Sequence, residues 1–260
     1  MLLSALLMAA AALVNLEALE VRRLAAAEAN QGAAADTNSV YAIDNSQVGR
    51  YDKESGRLLA RWEGDPARFK HLNSCIVRAR ELVCAASNYP EVPMASMIVW
   101  LDAATLRLRR VRDLPPGPGS LTWLDWYRGS WWAGYANYDG RGGEPGRDHR
   151  ETAVVRYSPE FEERATYHFP PEVLARFAPR STSGGAWGDD GLLYVTGHDR
   201  PELYAMQVPR AGAVLEHVAT IATPTGGQAI GWDPAEPRLL WSIERDASQL
   251  VASRVPPLTR

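Results

Sequence analysis

The chain has 260 residues, 46% hydrophobic and 23% charged, with a formal net charge of -3. That is enough for one large domain, and it leaves no basic excess or basic stripe with which to hold nucleic acid. Nine Trp and ten Tyr stand against four Phe, a bias that suits strands with one end near water and also suits ligand platforms.

Taken in chain order, residues 1–14 come first, an apolar and uncharged run. It is short for a bilayer span and matches the apolar stretch of a secretory signal peptide; an N-terminal anchor is the alternative. Residues 1–16 are therefore set apart as a signal peptide or N-terminal apolar segment, and residues 17–260 as a single domain.

A repeat follows. QGAAAD at 31–36 returns as QAIGWD at 228–233, and between them the same gesture recurs: NSCIVR at 73–78, SLTWLD at 120–125 and GGAWGD at 184–189. Each is an apolar segment ending in a polar corner, with a β-rich run close behind. Five beginnings, mostly about 40–45 residues apart, predict an all-β, five-bladed β-propeller of four-stranded blades. From inner to outer strand, blade 1 is expected at 32–36, 40–44, 48–51 and 58–62. Blade 2 is expected at 74–77, 82–86, 97–101 and 106–111, and blade 3 at 121–124, 131–135, 153–157 and 165–169. A helix over 171–177, opened by Pro171, lengthens the step to blade 4, at 185–187, 192–196, 203–207 and 216–221. Blade 5 shows only 229–232, 239–243 and 250–254. Its missing outer strand is assigned to residues 19–24, an N-terminal strand closing the last blade and removing an exposed edge.

Two cysteines fall on neighbouring strands of blade 2. A two-residue turn at Ala79-Arg80 sets Val77 opposite Leu82 and Cys75 opposite Cys84, within disulfide reach. A bond there suits an exported protein; two buried free thiols are the alternative.

Propeller topology sorts the loops. The links between blades and the links from second to third strand open on one face, and in this chain those are the longer, polar ones. Functional candidates therefore converge on one mouth. His71, His198 and Asp199 are the candidates for acid–base work. Gln31, Asn73, Asn88, Tyr89, Asn137, Arg200, Gln228 and Glu244 are candidate ligand contacts, Arg200 as an anion clamp. The insertion at 137–152 adds Asp139, Asp148 and His149 and is expected to overhang the mouth. No metal site is assigned and no cofactor expected; Ca2+ on Asn137, Asp139 and Asp148 is the one ion the loop chemistry allows. Walker, nucleophile-elbow and zinc motifs are absent from the sequence.

Several strings resemble those of bacterial exported β-propeller proteins, mostly uncharacterised and loosely labelled cycloisomerase-like: HLNS at 71–74, SNYP at 87–90, GSLTW at 119–123, GYANYDG at 134–140, GHDRPELY at 197–204 and GQAI at 227–230. The resemblance covers roughly residues 28–256, and it implies a propeller and a periplasmic or secreted setting. Two functions stay open. One is a propeller that binds and turns over a small polar ligand, as a hydrolase or a lyase/isomerase. The other is a non-catalytic carbohydrate- or protein-binding scaffold of the cell envelope. The expected partner is the small ligand alone, with a monomeric protein, no nucleic acid, and no membrane contact once the signal is removed.

Overall fold

The computed structural model describes residues 16–258. The apolar run 1–14 lies outside the described residues, and of the segment 1–16 set apart as a signal peptide or N-terminal apolar segment only Leu16 is described. The chain opens with β1 (Leu16–Glu17) and β2 (Leu19–Ala25). Blade 1 is β3 (Gly32–Ala35), β4 (Ser39–Ile43), β5 (Gln47–Asp52) and β6 (Leu58–Glu63). Blade 2 is β7 (His71–Arg78), β8 (Glu81–Ser87), β9 (Ser96–Asp102) and β10 (Leu108–Asp113). Blade 3 is β11 (Ser120–Tyr127), β12 (Ser130–Ala136), β13 (Ala153–Tyr157) and β14 (Glu163–His168). After helix α1 (Pro171–Phe177) comes blade 4, with β15 (Gly184–Trp187), β16 (Leu193–Thr196), β17 (Glu202–Gln207) and β18 (Glu216–Ala222). Blade 5 is β19 (Gly231–Trp232), β20 (Leu239–Glu244) and β21 (Gln249–Arg254).

The ring closes as the repeat arithmetic requires: β2 runs antiparallel to β21, with Leu24 opposite Leu250 and Leu19 opposite Arg254. The fold is thus a five-bladed β-propeller. Burial follows the radial layout. The second strands lie between neighbouring blades and are covered on both faces, so β16 (LYVT) is buried at every position and reads as a continuous apolar run. The outer strand β10 (LRRVRD) faces water along nearly its whole length.

Two features were not legible in the sequence. β1 adds a fifth strand to blade 4, parallel to β18, with Leu16 opposite Ile221. Blade 5's inner strand is shorter than expected, because Ala229 bridges instead to Gly32 of blade 1.

The blade 2 hairpin follows its turn. Ala79 and Arg80 both take positive φ, 49° and 68°, the backbone of a two-residue turn whose twist matches the flanking strands. Val77 then faces Leu82, Cys75 faces Cys84, and the two cysteines are bonded. Removing both sulfurs (Cys75→Ala with Cys84→Ala) is expected to cost about 2–3 kcal/mol, from the short loop the bond closes. Chemical denaturation of the oxidised protein and the double variant measures it. Among the described residues, no helix is long and apolar enough to cross a membrane.

Candidate functional site

A cavity of about 190 Å³ sits where the inner strands begin, on the face carrying the inter-blade links and the second-to-third-strand links. It is lined by Gln31, His71, Asn73, Tyr89, Thr122, Tyr138, Arg180, Ser183, His198, Gln228 and Arg245. Local backbone irregularity aims two of these groups. The register of β7 slips between Leu72 and Ser74, and that of β11 between Leu121 and Thr122's other neighbour, Trp123. The extra residues are Asn73 and Thr122, and a bulge turns its extra residue out of the ladder. Asn73 is then fixed by donating to the Leu121 carbonyl at 2.9 Å, which ties blade 2 to blade 3.

The two histidines are held in the same way. Asn45 Oδ1 accepts from His71 Nδ1 at 2.6 Å and from Gln31 Nε2 at 3.1 Å. Asp199 Oδ1 accepts from His198 Nδ1 at 2.6 Å. With each Nδ1 carrying the proton, each Nε2 is left as a lone-pair acceptor. Burial holds the His71 imidazole down at about 4, helped by the nearby Arg245 guanidinium and by His198. Burial also lowers His198, opposed by its bond to Asp199 and reinforced by Arg180. Both rings are therefore neutral bases near neutral pH.

Neutral burial of His71 carries a stability signature. Its folded pKa lies below the unfolded value, so the unfolded chain takes up the proton first as pH falls. Stability should drop by up to ~3 kcal/mol between about pH 6.5 and about pH 4, then level off. Denaturant midpoints across that window should fall for the native protein and flatten for His71→Gln.

The charge of the cavity comes from two arginines. Helix α1 delivers Arg180. Its apolar face, Val173, Leu174 and Phe177, is buried, Phe177 stands edge-on to Phe169 and Tyr204, and Arg176 pairs with Glu202 of blade 4. Just past the helix, Arg180 comes within 3.8 Å of Asp199. Arg245 follows β20 and is anchored by Nε donating to the Asn30 carbonyl at 2.8 Å. Burial, then Arg180, pulls the Arg245 pKa below its usual value, against the opposing pull of Asp246, Asp44 and Asp199. None of the eleven lining residues is acidic.

The far wall is aromatic. The His71 and Tyr89 rings lie 5.1 Å apart, as do Tyr89 and Tyr138. Above them, the insertion comes down through Gly142, where φ is +83° and a Cβ would lie 2.4 Å from the Tyr89 ring. Gly142→Val should therefore push Tyr89 off the cavity and strain the loop backbone, so ligand affinity and melting temperature should both fall.

Of the residues expected at the mouth, Gln31, His71, Asn73, Tyr89, His198 and Gln228 line the cavity, and Asp199 stands behind His198. The others are placed elsewhere. Asn137 is fully buried and donates to the Pro118 and Glu151 carbonyls, pinning the base of the insertion. Asn88 closes its own loop through Pro93 and Ala95. Arg200 is exposed beyond the rim, and Glu244 pairs across from Gln249 on the outer side of the Arg245 corner. Asp139 accepts from the backbone and ring of His149, and Asp148 caps the short 3-10 turn and pairs with Arg150. Asp139, Asp148 and His149 bring their ligand atoms within 4.8 Å of one another, close enough to share a cation. Asn137 Nδ2 is committed to the loop base, and its Oδ1 is buried without a hydrogen-bond partner. Arg180, Arg245, Tyr138 and Thr122 are the lining residues that the site reading of the sequence missed, and Ser183 lines the cavity as a polar start of an inner strand.

These features define a class: a five-bladed β-propeller with a polar pocket on its axis, two arginines among its lining residues. No protein-family model matches the chain, and no curated protein matches it in sequence. Among solved structures, the chain is similar to one in the crystal structure of a mitotic checkpoint complex, at 13% identity and a TM-score of 0.52, covering 98% of this chain and 97% of that one. It is also similar to the PQQ-bound aldose sugar dehydrogenase of Streptomyces coelicolor, at 11% identity and a TM-score of 0.52, covering 92% of this chain and 98% of that one. The WD40 β-propeller domain of Doa1 aligns at 9% identity and a TM-score of 0.48, over 92% and 97% of the two chains. At such identities these likenesses concern the fold.

Proposed function

We propose that this is an exported propeller that binds a small organic anion in the axial pocket and exchanges a proton with it. The observation that carries the reading is the pairing of Arg180 and Arg245 around a cavity with no acidic lining residue. Two guanidinium groups on one cavity, Arg245 half-buried and Arg180 at the exposed rim beside Asp199, favour a carboxylate or phosphate that neutralises them. Amide and hydroxyl groups from Gln31, Asn73, Gln228 and Ser183 suit the rest of a polar ligand. A bound carboxylate would leave its neighbouring carbon or hydroxyl facing the Nε2 atoms of His71 and His198. Neutral imidazole is a competent proton acceptor there, so the reaction class is isomerisation or elimination. Export is supported by the apolar start of the chain and by the Cys75–Cys84 bond, since disulfides persist in oxidising compartments.

Thermal melting with succinate, inorganic phosphate, glucose and glycerol tests this, because a ligand of the native state raises its apparent stability. The anions should raise the melting temperature in a saturable way and the neutral polyols should not. Arg245→Met and Arg180→Met should each weaken anion binding by about 10–100-fold, roughly the 1.5–3 kcal/mol of a charge-assisted hydrogen bond. Arg200→Ala, outside the cavity, should change nothing. Equal stabilisation by glucose and succinate, or unaltered anion binding in both Arg variants, overturns the reading in favour of a carbohydrate- or protein-binding scaffold.

A further inference from the structure

The opposite end of the axis holds a larger cavity of about 420 Å³, built from the last residues of the five inner strands, within the roughly 300–1,000 Å³ range of small-molecule sites. Room for it comes from small residues at those ends, Ala34, Ala35, Ala186 and Gly231. Its walls are aromatic, with Trp126, Tyr127, Trp187 and Trp232 among the lining groups, and Tyr127 stacks on Trp187 at 4.1 Å.

One carboxylate in this cavity has no counter-charge. Asp125 accepts from the Trp126 and Trp187 backbone N–H groups, both at 2.7 Å. Among the described residues no Lys, Arg or His reaches it within 4.0 Å. Each carboxylate oxygen keeps a free lone pair after one such bond. Burial raises its pKa to about 6, the response of a charge that lacks a partner. The other charged groups here are Asp36 and Arg78. Asp36 is committed to the Asn38 and Ser39 amides and the Tyr41 hydroxyl. Arg78 lies over Trp126, 3.9 Å from the ring centre, and 5.5 Å from that of Trp131. It stands on the aromatic wall and not on Asp125, and it shows that this wall accepts a cation.

We propose that this cavity is a second ligand site, separate from the anion pocket, and that it takes a small organic cation. Asp125 supplies the opposing charge and the Trp and Tyr rings supply the π surface. An alkylated ammonium fits both demands, since aromatic walls attract it without asking it to donate hydrogen bonds. Glucose, which can also stack on such rings, is the competing ligand in the test.

Titrating the full chain with choline, and with its neutral carbon isostere 3,3-dimethylbutan-1-ol, tests the proposal, read by quenching of tryptophan fluorescence. Choline should quench saturably, and the neutral isostere should bind at least about tenfold more weakly, or ~1.4 kcal/mol. Asp125→Asn keeps an acceptor for one backbone N–H and should lose choline binding by a similar factor. Arg78→Gln removes a competing cation from Trp126 at an exposed position, so it should bind choline more tightly, a gain that misfolding cannot produce. Equal response to choline and the isostere overturns the proposal, as does saturation by glucose in place of choline. So does failure of Arg78→Gln to tighten binding while Asp125→Asn retains it.

Discussion

Replacing Trp123 by alanine is expected to destabilise the protein by about 3–5 kcal/mol, the cost of deleting a large buried aromatic group and leaving its cavity. Trp123 is fully buried in β11, and its Nε1 donates to Thr182 Oγ1 at 3.0 Å, joining blade 3 to the chain entering blade 4. Two glycines make room for the ring. A Cβ at Gly134 would lie 2.0 Å from Trp123 Nε1, and one at Gly185 would lie 2.5 Å from its ring carbons. The indole is thus held against backbone from both blades. Gly134→Ala should itself cost about 1–3 kcal/mol by overpacking. Denaturant unfolding measures both, and a Trp123→Ala loss below about 1 kcal/mol would contradict the packing argument.

The second large effect is electrostatic. Lys53, at the end of β5 in blade 1, pairs with Asp233, just past β19 in blade 5, at 2.6 Å, with side-chain exposures of 9% and 1%. Asp233 also accepts from Trp241 Nε1 and from the amides of Ala235 and Glu236. Lys53→Met leaves that carboxylate buried without its cation, and breaking such a pair from one side costs about 3–5 kcal/mol. The pH dependence separates this from a packing defect. In the native protein burial pushes the Asp233 pKa up, but Lys53 and the hydrogen bonds win, and it ends below the ordinary carboxylate value. Its contribution is therefore present above about pH 4 and fades as pH falls through the lowered value. In Lys53→Met, protonation relieves the buried charge, so the deficit should be largest at neutral pH and shrink below about pH 4. A deficit independent of pH would mean that lost contacts, and not charge, explain it.

Much of the fold was legible because propeller blades repeat one pattern, and a count of strands left one vacancy that residues 19–24 fill. β1 was not, since two residues joined to a neighbouring blade carry no periodicity. The site was legible where topology alone places a residue. His71, Asn73 and Gln228 begin or precede inner strands, and strand starts on one face must converge. It failed where a single step decides the side. Glu244 was chosen where Arg245 lines the cavity, and Asn137 was chosen where Tyr138 does; successive residues of an extended chain point to opposite sides. Arg180 lay beyond this kind of reasoning, because the packing of a helix against blades 3 and 4 sets its position.

The seam between the first and last blades has a consequence for how the protein is made. The Arg23–Gln249 bond joins positions 226 apart in sequence, and Arg245 reaches Asn30 across 215. Blades 1 to 4 are mostly hairpins between neighbouring strands, which can form as the chain emerges. The last blade cannot, because its outer strand is synthesised first and its inner strands last. Contacts this distant are formed slowly, and closing the loop costs about (3/2)RT ln n, roughly 5 kcal/mol. Gln31 stands on one side of that seam and Gln228 and Arg245 on the other. A nascent chain therefore carries four nearly finished blades, and the axial cavity takes shape only once Gln228 and Arg245 have joined the ring.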